Sequence, residues 1–159
     1  MKSIKMKNKT VITYGTFDMF HIGHLKLLKR LKKMGTKLIV AVSSDEFNLS
    51  KGKTTIIPYK QRMQIVKSIK YVDKVIVEND WDQKVKDIKK YDVDLFVMGH
   101  DWEGKFDELK KHCKVKYIPR TKKISSSKIK KVLGKFDAQS LKDFEQLFSL
   151  VDNLKKDFK

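Results

Sequence analysis

Short β-branched runs alternate with amphipathic helical stretches along this chain, and that alternation limits its possible folds more than any other feature. Thr10–Gly15 (TVITYG), 37–42 (KLIVAV), 74–77 (KVIV), 94–98 (DLFVM) and Lys114–Ile118 (KVKYI) read as strands. Between them, 21–34 places Leu27, Leu28, Leu31 and Met34 on one helical face, and Gly35 stands where a helix C-terminus favours glycine. Pro58 opens a helix through Ile69 with Met63, Val66 and Ile69 at helical spacing. Residues 82–90 give another helix, 106–112 a short one, and 125–133 one whose serines can cap its first turn. Apolar strands joined by helices bury both sheet faces. The expected fold is therefore α/β, a Rossmann-like parallel sheet. Residues 43–57 are polar and lysine-bearing, and read as a long loop of a length that suggests function.

Composition removes several function classes. At 159 residues with 40% hydrophobic and 35% charged side chains, the chain suits one globular body. No apolar run approaches the roughly 18 residues a membrane span needs. Residues 1–10 are basic without an apolar stretch, unlike a secretory signal. Cys113 is the one cysteine, so no internal disulfide forms; a cytoplasmic setting and an inert thiol are expected. The formal charge of +18 invites a nucleic-acid reading. Yet of 37 basic residues only Arg30, Arg62 and Arg120 are arginine, and the lysines are scattered. That pattern fits a solvated surface better than a nucleic-acid face, so no obligate nucleic-acid partner is expected.

Residues 137–159 differ in kind. Leu141, Phe144, Phe148, Val151 and Phe158 form a heptad-like stripe widened by Leu147 and Leu154, and Ser140 with Asp143 gives a start signal. A helix packed on the body or on a twin chain is expected. Asp137, Asp143, Glu145, Asp152 and Asp157 oppose an anionic membrane surface.

The stretch richest in chemistry is 15–24, GTFDMFHIGH, which follows a strand and opens a helix. In open α/β sheets ligands bind at the carboxyl ends of strands, and a helix N-terminus offers free N–H groups to phosphate. His21 and His24, with Gly23 between them, allow two rings and a close backbone to face one phosphate. Metal binding by the two histidines is the alternative, though no third ligand has the spacing.

That run resembles the signature of the HxGH nucleotidyltransferase superfamily. Residues 120–128, RTKKISSSK, resemble the cytidylyltransferase signature RTEGIST. Residues 98–107, MGHDWEGKFD, together with 44–48, SDEFN, and 71–73, YVD, resemble the bacterial glycerol-3-phosphate cytidylyltransferases. The motifs stand in the family's order and spacing across roughly residues 10–133. The resemblance implies a cytidylyltransferase domain over 1–134; the apolar stripe adds a C-terminal amphipathic helix extension over 135–159, and pairing of two copies into a homodimer is expected. It also implies conversion of CTP and glycerol 3-phosphate to CDP-glycerol and pyrophosphate, Mg2+ arriving with CTP, and a product used for teichoic-acid-like polymers. A related transferase with another phosphorylated alcohol, or a nucleic-acid-binding protein on this scaffold, is the alternative.

The resemblance also implies roles. His21, His24, Lys51 and Arg120 would be catalytic, holding phosphates and stabilising transition-state charge. Thr16, Phe17, Asp18, Gly23, Lys53, Gly99, Asp101, Thr121, Ser125 and Ser126 would bind the nucleotide. Asp45, Arg62, Lys70 and Trp81 would lie around the acceptor. Arginine at positions 62 and 120, in a chain that otherwise uses lysine, points to a need for a forked donor. Two departures bear on affinity. Lys122-Lys123 replaces the family's Glu-Gly, and Lys70 stands where arginine is usual before Tyr-Val-Asp.

Overall fold

The structure, a computed structural model, describes residues 8–121 and 124–157. The chain divides into two compact units, Met1–Ile124 and Ser125–Lys159. In the first, the described residues run β1 (Thr10–Gly15), α1 (Ile22–Lys32), β2 (Lys37–Ser43), α2 (Asp45–Ser50), α3 (Tyr59–Lys67), β3 (Lys74–Glu78), α4 (Gln83–Lys90), β4 (Leu95–Gly99) and β5 (Lys114–Ile118). Short 3-10 turns occupy His100–Trp102 and Asp107–Lys111.

The strands form one sheet in the order β3-β2-β1-β4-β5, and every pairing is parallel. Strand order reverses between β1 and β4, so the crevice at their carboxyl ends is where an open α/β sheet accommodates a ligand. Alternation along β1 supplies both faces of the sheet: Val11 packs into a core with Leu28, Leu31 and Val66, and Ile12 into another with Ile88, Phe96 and Leu109. Burying each such leucine or isoleucine contributes about 1.5–3 kcal/mol. The double-sided cover expected from the strand composition is what forms.

Three local expectations are corrected. Residues 43–57 are not all loop: Ser44 accepts the Phe47 N–H on its Oγ at 3.1 Å and starts α2, and Phe47 is buried. Gly35 does not terminate α1 through a left-handed backbone. A Cβ there would collide with the Lys9 carbonyl oxygen, so glycine is needed for close approach to the backbone that leads into β1. Finally, the helix expected to end near Leu133 continues through Gly134 as α5 (Ser126–Asp157), which makes up the second unit. Helical hydrogen bonding on either side of one glycine outweighs its cost of about 1 kcal/mol. On α5, Leu141 and Leu147 are exposed. The side chains of Phe144, Phe148, Val151, Leu154 and Phe158 lie outside the described residues. No described helix is long and apolar enough to cross a membrane.

Candidate active site

The turn from β1 into α1 is built by its own sequence. Phe17 and Met19 adopt left-handed backbones, φ 52° and 48°, each costing on the order of 1 kcal/mol or more. Asp18 between them is buried and secures that geometry. Its Oδ1 accepts the Met19 and Ile57 N–H groups at 3.1 and 3.0 Å, and its Oδ2 accepts the Ile56 N–H at 2.9 Å. Asp18 therefore joins this turn to the 51–57 segment. Phe17 packs into the core with its ring under Gly15, where a Cβ would meet it at 2.8 Å.

His21 caps α1, its Nδ1 accepting the Gly23 N–H at 3.0 Å, while the His24 Nδ1 accepts the His21 N–H at 3.3 Å. The rings stack with centroids 3.9 Å apart. Gly23 is required by this stack, since a Cβ would lie 2.8 Å from the His21 ring. With both Nδ1 atoms accepting, each neutral ring carries its proton on Nε2 and has that N–H to offer a ligand. Burial lowers the pKa of His21, and burial followed by the His21 charge lowers that of His24 to about 4. Two neutral donors, fixed by backbone, stand at the end of β1.

Lys51 just past α2, Glu78 of β3 and Lys84 of α4 join Ser43 of β2 in a second cluster. The Lys51 ammonium lies 3.8 Å from the Phe47 ring centroid, donates to Ser43 Oγ at 3.3 Å and stands 3.9 Å from Glu78 Oε2. Burial lowers its pKa, and the nearby Glu78 carboxylate works against that. Trp81 is half-exposed, edge-on to Phe47 and tilted against Trp102, whose ring lies under the Lys53 ammonium at 5.7 Å. Aromatic faces rimmed by ammonium groups suit an anionic ligand with a flat or apolar part.

The remaining candidates separate by place. Arg120, largely exposed, pairs with Asp101, which joins the segments after β4 and β5. Gly99 ends β4, and a Cβ there would meet nothing, so its backbone borders open space. Thr16 donates its hydroxyl to Asn48 Oδ1 at 3.0 Å. Thr121 borders a surface concavity of about 330 Å³ with Lys26, Lys29, Arg30 and Lys33. Ser125 and Ser126 open the second unit, and Ser125 Oγ accepts the Lys128 N–H at 3.2 Å, the capping role its position suggested. Lys122 and Lys123 lie outside the described residues.

Two candidates are not where a contact residue would be. Arg62 is wholly buried: Nε donates to the Ile57 carbonyl at 2.8 Å, one terminal nitrogen to the Thr16 carbonyl and the other to Asp45 Oδ1, each at 2.5 Å. Asp45 also accepts from Thr55 Oγ1 and the Tyr59 N–H. Its carboxyl is held below the usual range, these bonds overcoming desolvation, the largest single influence, which acts the other way. The forked donor is thus used to tie three segments together. Lys70 is exposed in the segment entering β3, at the N-terminal edge of the sheet, away from the strand ends where the others gather.

Sequence reasoning missed Ser43, Asn48, Glu78 and Lys84, all buried. Reading β3 as ending at Val77 hid the one available signal, a carboxylate at the carboxyl end of a strand. Among the described residues no three His, Cys, Asp or Glu side chains group as a metal cage.

Comparison with known proteins agrees with this geometry. A family model described as cytidylyltransferase-like matches residues 12–132. A glycerol-3-phosphate cytidylyltransferase of Bacillus subtilis (strain 168) is 56% identical over 126 residues, covering 79% of this chain and 98% of that protein. One from Staphylococcus aureus (strain NCTC 8325 / PS 47) is 55% identical over 131 residues, covering 82% and 99%. The crystal structure of a lipopolysaccharide core biosynthesis protein from Thermoplasma volcanium GSS1 superposes with a TM-score of 0.63 at 28% identity, covering 74% of this chain and 100% of that one.

Proposed function

This chain belongs to the family of glycerol-3-phosphate cytidylyltransferases, and from that premise we propose that it converts CTP and glycerol 3-phosphate to CDP-glycerol and pyrophosphate. A phosphate oxygen of glycerol 3-phosphate attacks the α-phosphorus of CTP in line. The new P–O bond forms as the bond to the bridging oxygen breaks, and its electron pair leaves with pyrophosphate. No enzyme nucleophile is needed, so the side chains position and stabilise charge.

The observation that carries this reading is the stacked histidine pair with both Nδ1 atoms held by backbone N–H groups. His21 and His24 donate through Nε2 to phosphate oxygens, and need no reorganisation as charge develops. Lys51, Lys53 and Arg120 supply the cations, with Asp101 aiming Arg120 until phosphate displaces it. Thr16, Phe17, Gly23, Gly99 and Thr121 surround the nucleotide, and Trp81 borders the acceptor. Asp18, Asp45 and Arg62 act by holding the loops in place. The catalytic region is assigned to residues 1–134.

Magnesium would be held by the phosphate oxygens of CTP and by water, where it would neutralise developing charge; among the described residues no three His, Cys, Asp or Glu side chains group as a cage. Two copies associate as a homodimer, with Lys70 outside the catalytic crevice. The setting is cytoplasmic, where CTP is made, and the product serves synthesis of a teichoic-acid-like glycerol-phosphate polymer.

The test is pyrophosphate release with magnesium, crossing CTP, ATP, GTP and UTP against a panel of small phosphates, beside a His24→Ala control. Release with CTP and glycerol 3-phosphate alone, lost in the control, is expected. Turnover with another phosphate replaces the acceptor, and silence across the panel defeats the reading.

A further inference from the structure

Ser43 and Glu78 are the last residues of β2 and β3 and face each other in register. Glu78 is buried, and its two oxygens are used unequally. Oε1 receives the Lys84 ammonium at 2.7 Å, and Oε2 receives the Ser43 hydroxyl at 2.5 Å. Lys84 is itself buried and lies over the Tyr14 and Trp81 rings at 4.7 and 4.8 Å, so this pair is closed off from water. Lys51 approaches the same carboxylate only to 3.9 Å. It also shares Ser43 Oγ with Glu78 and rests on the Phe47 ring.

Two ammonium groups thus surround one carboxylate, and the closer one already neutralises it. Lys51 is the surplus cation of the cluster, with a side chain only 13% exposed. A desolvated unit charge held loosely is most stable when an anion completes its shell. Were Lys84 absent, Glu78 would draw Lys51 into a closed pair. With Lys84 in place, the carboxylate and the Ser43 hydroxyl hold Lys51 without neutralising it.

We propose that Glu78 is a positioning residue: paired with Lys84 and Ser43, it holds the Lys51 ammonium at the carboxyl end of β2 as the open cation for a substrate phosphate. This rests on the reading that Lys51 faces a phosphate of the proposed reaction. Charge balance adds a second consequence. Glu78 favours the charged form of Lys51, whereas burial and the Lys53, Lys84 and Arg62 charges disfavour it. Glu78 therefore keeps Lys51 protonated at a pH where burial alone would begin to neutralise it.

A double-mutant cycle tests this, using pyrophosphate release from MgCTP and glycerol 3-phosphate by the full chain. Lys51→Met is expected to lower kcat/KM by about 100-fold and Glu78→Gln by about 10-fold, while the double variant falls no further than Lys51→Met. Glu78→Gln is also expected to move the alkaline limb of kcat/KM to lower pH. Should Glu78→Gln fail to fold, Glu78→Gln/Lys84→Met removes both charges of the buried pair and takes its place in the cycle. Losses that multiply, or full activity in Glu78→Gln beside a dead Lys51→Met, would overturn the role of Glu78. Wild-type protein that releases no pyrophosphate would instead bring down the underlying functional reading.

Discussion

The histidine turn and the lysine–carboxylate cluster stand at neighbouring strand ends of one sheet, yet they are made in opposite ways. In the turn the bonds that fix the two rings span two or three residues, His21 to Gly23 and His24 to His21, while Asp18 also reaches out to Ile56 and Ile57. Backbone groups fix the rings, and the sequence GTFDMFHIGH carries nearly all the instructions. In the cluster the contacts join Ser43, Lys51, Glu78 and Lys84, brought together only when β2 and β3 pair. The turn orients neutral donors at small electrostatic cost. The cluster confines charge, and must cancel most of it to exist at all. Changes in the turn should therefore cost activity, and changes among the buried charges should cost stability.

The largest effect expected is on stability. Arg62→Met leaves Asp45 without its ion pair and frees the Thr16 and Ile57 carbonyls, and should lower the unfolding free energy by about 3–5 kcal/mol. Urea unfolding measures this. A midpoint near that of wild type would show that the buried charges are not structural, and would break the comparison. His24→Ala should behave oppositely, cutting kcat/KM by about 10²–10³-fold for loss of one transition-state donor. Its folded yield should stay near that of wild type. A variant that unfolds would make the stack a packing element.

Acid sharpens the contrast. His24 has a folded pKa of about 4 against the ordinary 6.5, so below pH 6.5 the unfolded chain binds a proton that the native turn refuses. Stability should then fall as pH drops from 6.5 to 4, by up to about 3 kcal/mol from this residue. Comparing denaturation of wild type and His24→Ala across that window isolates the term, and equal slopes would refute it. The smallest effect expected is from Ser44→Ala, which removes the α2 cap and should cost about 1 kcal/mol in thermal unfolding while leaving the histidine turn intact.

How far each region was legible follows from the same difference. The strand at Thr10–Gly15, the strand at Lys114–Ile118 and the helix start beside His21 were read where they occur, because periodicity and capping are local. The helix within 43–57 was missed because its single buried aromatic, Phe47, has no periodic companions in a polar stretch. Arg62 was read as a forked donor, which it is. Its partners proved to be two carbonyls and Asp45, all within the protein. Glu78 passed unnoticed because a carboxylate after KVIV looks like a strand end turned to solvent.

By itself the sequence determined the parallel α/β sheet, the turn that stacks His21 on His24, and the family to which they belong. The strand and helix periods and the turn motif are written in residues close together in the chain, where covalent geometry leaves few alternatives. Which charges are buried, which arginine is structural, and which lysine is left with its charge uncancelled were decided only by the tertiary structure. Strand pairing sets the distances between remote groups and removes the water between them, and both the strength of a charge interaction and the cost of leaving it unpaired depend on those two quantities.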